Sequence, residues 1–134
     1  MNLRANATFR AGDWARLEAK LVPLLTIGAQ NGAAEVLVEA QAIVPVDTGD
    51  LLRSGSTSVE WTGKVVTGYV EFGQPYAAYV EFGTGRRGQG SAGAGPYAYD
   101  QNWAGMVAQP YLRPALDTAR PAVLSAFQEA LSGL

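Results

Sequence analysis

The chain has 134 residues, of which 48% are apolar and 16% charged, and its formal net charge at pH 7 is −2. This length fits one domain with its own core, and the balanced charge predicts neither disorder nor a dedicated nucleic-acid surface. The sequence contains no cysteine and no histidine, which excludes disulfides, thiolate nucleophiles and the imidazole base of hydrolytic triads.

The N-terminus offers no targeting signal. It lacks the continuous apolar core of a signal peptide, and no apolar run reaches the roughly 18 residues that a membrane helix needs. We therefore expect a soluble protein of cytoplasmic origin without a membrane partner. Residues 1–12 are interpreted as an N-terminal arm of a single domain that spans residues 1–134.

A long helix is predicted over residues 13–43, where apolar residues recur at three- and four-residue steps. Asp13 is a suitable N-cap. Pro23 removes one helical hydrogen bond and two glycines follow it, so we expect a kink or, preferably, a break within residues 23–32.

Pro45 ends the predicted helix, because the residue before a proline is pushed out of the helical region. Asp47 or Thr48 can cap a short turn that follows, and Gly49 can adopt a backbone conformation that other residues avoid. Leu51 and the next leucine are expected to anchor this turn to the core.

A β-hairpin is predicted around a Thr62-Gly63 turn, and its second strand ends in the pentapeptide Tyr-Val-Glu-Phe-Gly that starts at Tyr69. The same pentapeptide starts again at Tyr79, now between Pro75 and a glycine, which favours a short helix. One string of residues is thus predicted to form a strand end in one place and a helix in the other.

The segment 83–96 is rich in glycine and carries only Arg86 and Arg87 as charges. We expect a flexible interaction loop that a neighbouring protein orders. A contact of the two arginines with a phosphate backbone is the less favoured alternative.

Four aromatic residues follow this loop, and we expect them to serve an interface rather than to stack on bases. A final helix is predicted from about Pro114. Four of its apolar residues are expected to face the core. The aromatic residues are Tyr97, Tyr99, Trp103 and Tyr111, and the inward residues of the helix are Leu116, Val123, Phe127 and Leu131.

Two patterns have a possible catalytic interpretation. Asp47-Thr48-Gly49 matches the signature of aspartic proteases, in which two carboxylates share a proton, but here it follows a helix and leads into a turn. Glu71 and Glu81 could form the carboxylate pair of a glycosidase. Solvated or subunit-bridging carboxylates are the favoured interpretation of these two glutamates.

Three sequence blocks occur in order along the chain. Together they resemble the head-tail joining family of long-tailed bacteriophages, whose members are neck, tail-completion or minor tail proteins. The resemblance covers roughly residues 30–132. The blocks contain Pro45, Asp47, Thr48, Gly49 and Leu51; Tyr76, Tyr79, Glu81 and Gly83; and Gln109, Pro110, Leu112, Arg113 and Pro114.

The predicted elements and this resemblance imply an α+β structural protein, with a long N-terminal helix, an antiparallel hairpin or small sheet, and a C-terminal helix packed on the sheet. The resemblance further implies a homo-oligomeric ring, expected to be six-fold, in the virion neck or at the head-proximal end of the tail. Its partners would be adjacent neck and tail proteins, and genomic DNA would pass through the lumen without sequence-specific binding.

The resemblance implies no enzymatic activity, no cofactor and no metal. The protein would reach the virion after assembly in the host cytoplasm. Two alternatives stay open at this point: a homodimeric aspartic protease that uses Asp47-Thr48-Gly49, and a non-viral soluble binding module. In this chain Pro23 and the long connection over residues 83–108 depart from the family pattern.

Overall fold

The computed structural model describes residues 2–4, 11–63, 65–92 and 95–134. Its long N-terminal helix, small antiparallel sheet and C-terminal helix confirm the predicted α+β class. In chain order the elements are β1 (Asn2–Arg4), α1 (Ala11–Ile43), α2 (Asp50–Arg53), β2 (Gly55–Thr62), β3 (Val65–Phe72), α3 (Ala77–Phe82), α4 (Gly85–Ala92) and α5 (Leu112–Leu131).

The sheet has the strand order β1-β3-β2, and both neighbours run antiparallel to β3. The predicted hairpin is present: Thr62 pairs with Val65 beside the turn, and Gly63 has a φ of +60°. The third strand, β1, lies within the predicted N-terminal arm and pairs only with the Val65–Thr67 end of β3. Residues 5–10 of that arm lie outside the described residues.

Helix α1 is continuous, so the predicted break within residues 23–32 is wrong. Pro23 lies inside the helix and is exposed. The two glycines that suggested a break are contact points: a Cβ at Gly28 would lie 2.6 Å from the Phe127 ring, and one at Gly32 would lie 3.1 Å from a Val123 methyl. They let α5 approach α1 closely. Because α1 spans Ala11–Ile43, the proposed N-cap Asp13 lies inside it.

The core lies on both sides of α1, which is packed between the sheet and α5. Helix α5 therefore rests mainly on α1, and not on the sheet as we expected. Val123 and Phe127 are buried as predicted, but Leu116 is 38% exposed, so its predicted inward position is wrong. The buried hydrophobic cluster comprises Leu25, Ala29, Val36, Ala40, Val44, Leu51, Val66, Phe72, Ala77, Tyr111, Ala115, Ala119, Val123 and Phe127.

Part of α1, Ala15–Ile43, is long and apolar enough by composition to cross a membrane. One face of this stretch supplies Leu25, Ala29, Val36 and Ala40 to the core. The core helix of a compact domain passes the same test of length and hydropathy. We interpret the stretch as the central helix of the fold.

The glycine-rich segment differs from its prediction as a loop, because residues 85–92 form α4. Gly83 and Gly88 are buried, and a Cβ on Gly83 would come within 2.6 Å of the Gly88 backbone. Such close approach requires residues without side chains. The glycines here serve tight backbone packing, and residues 93 and 94 of the predicted loop lie outside the described residues.

Candidate assembly interface

The first sequence block forms the connection between α1 and α2. Helix α1 ends just before Pro45, as predicted, and Gly49 adopts a φ of +88°, which only glycine tolerates readily. The Thr48 hydroxyl accepts a hydrogen bond from the Asp50 N–H at 3.3 Å. Leu51 is buried in the core. This block therefore closes a turn and anchors it, as the sequence suggested.

Asp47 lies in that connection with an exposed side chain. The Asp-Thr-Gly signature of aspartic proteases requires two carboxylates that share a proton in a protected site. Here the tripeptide leads from a helix into a helical turn whose N-cap is Gly49, and its threonine accepts a local hydrogen bond from the Asp50 N–H. The geometry of the loop thus accounts for these residues without catalysis.

The repeated pentapeptide adopts two structures, as predicted. The first copy lies in β3, where Glu71 is exposed, and the second forms α3, where Glu81 is only 4% exposed. The prediction of a solvated or subunit-bridging carboxylate is therefore wrong for Glu81. Its partners lie in its own chain, at the start of α5.

Glu81 caps the N-terminus of α5. Its Oε2 accepts hydrogen bonds from the N–H groups of Tyr111 and Leu112 at 2.7 and 2.9 Å, and its Oε1 accepts one from the Arg113 N–H at 3.0 Å. The first turn of a helix leaves such donors without intrahelical partners. The next residue, Pro114, has no N–H, so this carboxylate satisfies every free backbone donor of the turn.

Arg113 holds the same carboxylate from the side. Its Nε donates to Glu81 Oε1 at 2.9 Å, and a terminal nitrogen donates to the Glu81 carbonyl at 3.1 Å. Its guanidinium also lies 4.5 Å from the centre of the Phe82 ring, a cation–π contact. Burial alone would raise the pKa of Glu81, but the three backbone N–H groups and Arg113 outweigh it and lower that pKa.

Tyr111 adds a second connection between the same two segments. It is 2% exposed, its hydroxyl donates to the Ala77 carbonyl at 3.0 Å, and its ring packs edge-on against Phe72. Burial, and secondarily the nearby Glu81 charge, raise the pKa of Tyr111 to about 12. The phenol therefore stays neutral, and the expectation that Tyr111 serves an interface is wrong.

The chain between α4 and α5 is fastened to α3 by further hydrogen bonds. The Gln109 N–H donates to the Val80 carbonyl at 2.8 Å. The Tyr99 hydroxyl donates to the Phe82 carbonyl at 3.0 Å, and the Tyr97 hydroxyl donates to the Gly83 carbonyl. Residues 74–92 and 95–111 thus form one connected unit, which we call the lobe.

The lobe exposes five large apolar side chains to solvent. Val107 is 52% exposed, Trp103 56%, and three other large side chains are more than a third exposed. Where such side chains are contiguous, they mark an interaction surface. Arg86 and Arg87, both exposed, lie beside them, because their N–H groups bond to the carbonyls of Trp103 and the following alanine. The three other residues are Tyr76, Tyr79 and Met106.

The pairing of the second and third blocks through Glu81 was not predicted from the sequence. One signal was available: α5 begins after Tyr111 without a serine, threonine, aspartate or asparagine at its N-cap, although these residues usually fill that position. A helix without a local cap needs a remote one. Nothing in the sequence itself shows that Glu81, rather than another carboxylate, fills this role.

Within the described residues, no group of three or more acidic side chains is arranged to hold a metal ion. The three sequence blocks divide between two places: the first shapes the α1–α2 connection, while the second and third build one junction at Glu81. This junction fixes the lobe to α5, and the lobe carries part of the exposed apolar side chains of the described residues.

The comparisons with known proteins give one family. The family described as "Bacteriophage HK97-gp10, putative tail-component" matches residues 26–83, which run from α1 through the hairpin to the end of α3. No curated protein and no solved structure matches the chain. The first two sequence blocks lie within the matched segment, and the third lies beyond it.

Proposed function

With residues 26–83 identified as an HK97-gp10-like phage tail-component segment, we propose that the protein is a structural component that forms a homo-oligomeric ring joining head to tail. The ring would lie in the neck or at the head-proximal end of the tail and surround the DNA channel. The family similarity carries this proposal. The role requires no catalytic residue, cofactor or metal.

The surface of the lobe supports self-assembly. Trp103, Met106 and Val107 are exposed by a third to more than a half, yet the segment that carries them is held by hydrogen bonds to α3 and α4. A surface that is ordered before binding loses little conformational entropy on association. Closed rings arise when one patch of a subunit binds a different patch on the next.

The charge of the chain suits a channel protein. Ten basic and twelve acidic residues leave a net charge of −2, and protein–DNA affinity depends mainly on cations that neutralise phosphates. A ring of such subunits would let genomic DNA pass without retaining it. Its protein partners would be the adjacent neck and tail proteins, in the virion and, during assembly, in the host cytoplasm.

The proposal is tested by the size and shape of the purified protein. We expect sedimentation velocity to show a single oligomer, and negative-stain micrographs to show rings with six-fold symmetry and a central hole. A protein that stays monomeric at the highest soluble concentration and shows no rings would contradict the proposal. That result would favour a non-viral binding module.

A further inference from the structure

We propose that two arginines on the lobe of one copy, Arg86 and Arg87, bind two glutamates on α1 of the next copy. The glutamates are Glu35 and Glu39. The inference rests on the proposed ring and specifies which surfaces of two neighbouring copies meet.

The two glutamates occupy an unfavourable place on α1. Glu35 and Glu39 are one helical turn apart, a spacing at which like charges repel each other. Glu39 also lies about one turn from the C-terminal end of the helix, towards which the helix dipole disfavours negative charge. No basic residue occurs between Lys20 and Arg53, so no neighbouring cation of the helix offsets the pair.

The two arginines occupy an equally unfavourable place of the opposite kind. Arg86 and Arg87 lie in the first turn of α4, at the positive end of the helix dipole, and this turn contains no acidic residue. Their N–H groups bond to the carbonyls of Trp103 and the following alanine, while both side chains are exposed. The backbone therefore holds two cations at the surface of the lobe.

Neither charged pair has an ion-pair partner within the described residues. The ion pairs of this part of the chain join Arg53 to Asp50, Arg113 to Glu81, and Arg120 to Asp117. Local rules that a sequence breaks without compensation in its own chain are typical of functional sites. Each pair here supplies the countercharge that the other lacks.

Exposed apolar side chains flank both pairs. On α1, Val38 is 61% exposed and Ile43 49%, and they lie three and four residues, respectively, from a glutamate of the pair, which makes them its neighbours on the helix surface. On the lobe, Trp103 is 56% exposed beside Arg86. Surface ion pairs contribute little by themselves, so the apolar groups provide affinity and the charges select which surfaces meet.

The occupant of the acidic surface is a second copy, because the same chain carries the complementary basic surface. One surface belongs to the lobe and the other to α1, so the contact runs head to tail. Repeated contacts of this kind generate a ring when the rotation between copies closes. A contact of the two arginines with DNA phosphates would leave the acidic pair without a partner.

Charge reversal on either surface tests the contact. The double variant Arg86→Glu, Arg87→Glu makes both surfaces acidic, and the double variant Glu35→Arg, Glu39→Arg makes both basic. Facing surfaces of like charge repel each other. We expect each variant alone to raise the concentration at which the oligomer half-dissociates by about tenfold or more, in sedimentation velocity at low ionic strength, where screening is weak.

An equal mixture of the two double variants should restore the oligomer. The acidic lobe of the first variant meets the basic α1 of the second, and the unchanged lobe of the second meets the unchanged α1 of the first. The two proteins then alternate around the ring. In the proposed six-fold ring, native mass spectrometry should find three copies of each.

The matched control is the double variant Arg16→Glu, Lys20→Glu. It reverses two exposed basic residues that lie one turn apart near the other end of α1. We expect this control to assemble like the wild type. The neutral double variant Glu35→Gln, Glu39→Gln adds no new charge, and we expect it to weaken assembly less than reversal does.

The outcomes separate this inference from the proposed function. Rings that persist in both reversed variants, rings of wild-type stability in the neutral variant, or a mixture that does not reassemble would overturn the inference and leave the proposed function in place. Arg86→Glu, Arg87→Glu rings that lose the ability to retain DNA would also overturn it, in favour of a phosphate contact. A wild-type protein that is monomeric under all conditions would refute both proposals.

Discussion

The pentapeptide Tyr-Val-Glu-Phe-Gly shows how position decides the role of one side chain. Glu71 lies on β3 with its side chain in solvent, while Glu81 is buried and receives three backbone N–H groups and Arg113. A carboxylate at a helix N-terminus is favourable because it faces unpaired donors and the positive end of the helix dipole. The two glutamates therefore provide a natural matched pair for mutation.

Glu81→Gln should lower the free energy of unfolding at pH 7 by about 2–3 kcal/mol. In the variant, an NH₂ group of the amide faces backbone N–H groups whose hydrogen bonds the carboxylate accepted, so two donors meet and those hydrogen bonds are lost. Loss of a partner from a fully buried ion pair costs about 3–5 kcal/mol, but the Arg113 side chain is 42% exposed, which reduces the cost. Urea denaturation measures the change, and Glu71→Gln, the control, should alter stability by less than about 0.5 kcal/mol.

The pH dependence of this effect follows from the lowered pKa of Glu81 in the folded protein. The stabilisation is fully present above the unfolded glutamate pKa of about 4.3 and is lost as the pH falls through the lower, folded value. The difference between wild type and Glu81→Gln should therefore shrink below about pH 4. A difference that is the same at pH 3 and pH 7 would contradict the assigned role of the charge.

At the scale of elements, the sequence predicted those features that local chemistry decides. Pro45 ends α1, Gly49 takes its left-handed conformation, and the hairpin closes at Gly63. Each depends on the backbone preference of one residue or its neighbour. Because these residues mark where helices and strands end, the order of helices and strands along the chain, and with it the α+β class, could also be predicted.

The errors have a different physical origin. Gly28 suggested a break in α1 because glycine is a poor helix former, but its role depends on Phe127 at the other end of the chain. Likewise, the partners of Glu81 lie 30 or more residues away. Local patterns contain no information on such distant contacts, so the break, the loop at 85–92 and the exposed Glu81 were predicted wrongly.

The close crossing of α1 and α5 leads to a test at Gly28. Gly28→Ala gains up to about 1 kcal/mol of helix propensity, but its Cβ would lie 2.6 Å from the Phe127 ring and 3.2 Å from the Phe127 Cα. Overpacking of this kind costs about 1–3 kcal/mol. We therefore expect no gain, and a net loss of up to about 2 kcal/mol, in thermal or urea denaturation.

Ala34→Gly is the matched control on the exposed face of α1. It should cost about 1 kcal/mol through propensity alone. If Gly28→Ala stabilised the protein by the same amount that Ala34→Gly destabilises it, the crossing would not be tightly packed, and Gly28 would be no more than a weak helix residue.

At the scale of the whole molecule, the family similarity and the folding unit have different boundaries. The matched segment ends at residue 83, yet α5 supplies Ala115, Ala119, Val123 and Phe127 to the core. Burial of one valine or phenylalanine side chain contributes about 1.5–3 kcal/mol, and a small domain has a net stability of only about 5–15 kcal/mol. The core on the α5 side of α1 is therefore indispensable.

We expect a chain truncated after Gly83 to show no cooperative thermal transition by circular dichroism, although its α1 residues retain partial helicity. Removing only Gly133 and Leu134, which follow α5, should leave the transition nearly unchanged, since Leu134 is 61% exposed. The short fragment also loses Tyr111 and Arg113, so Glu81 would have no helix to cap. A sharp transition in the fragment would show that α1 and the sheet form an independent domain and that α5 and the segment leading to it are an addition to it.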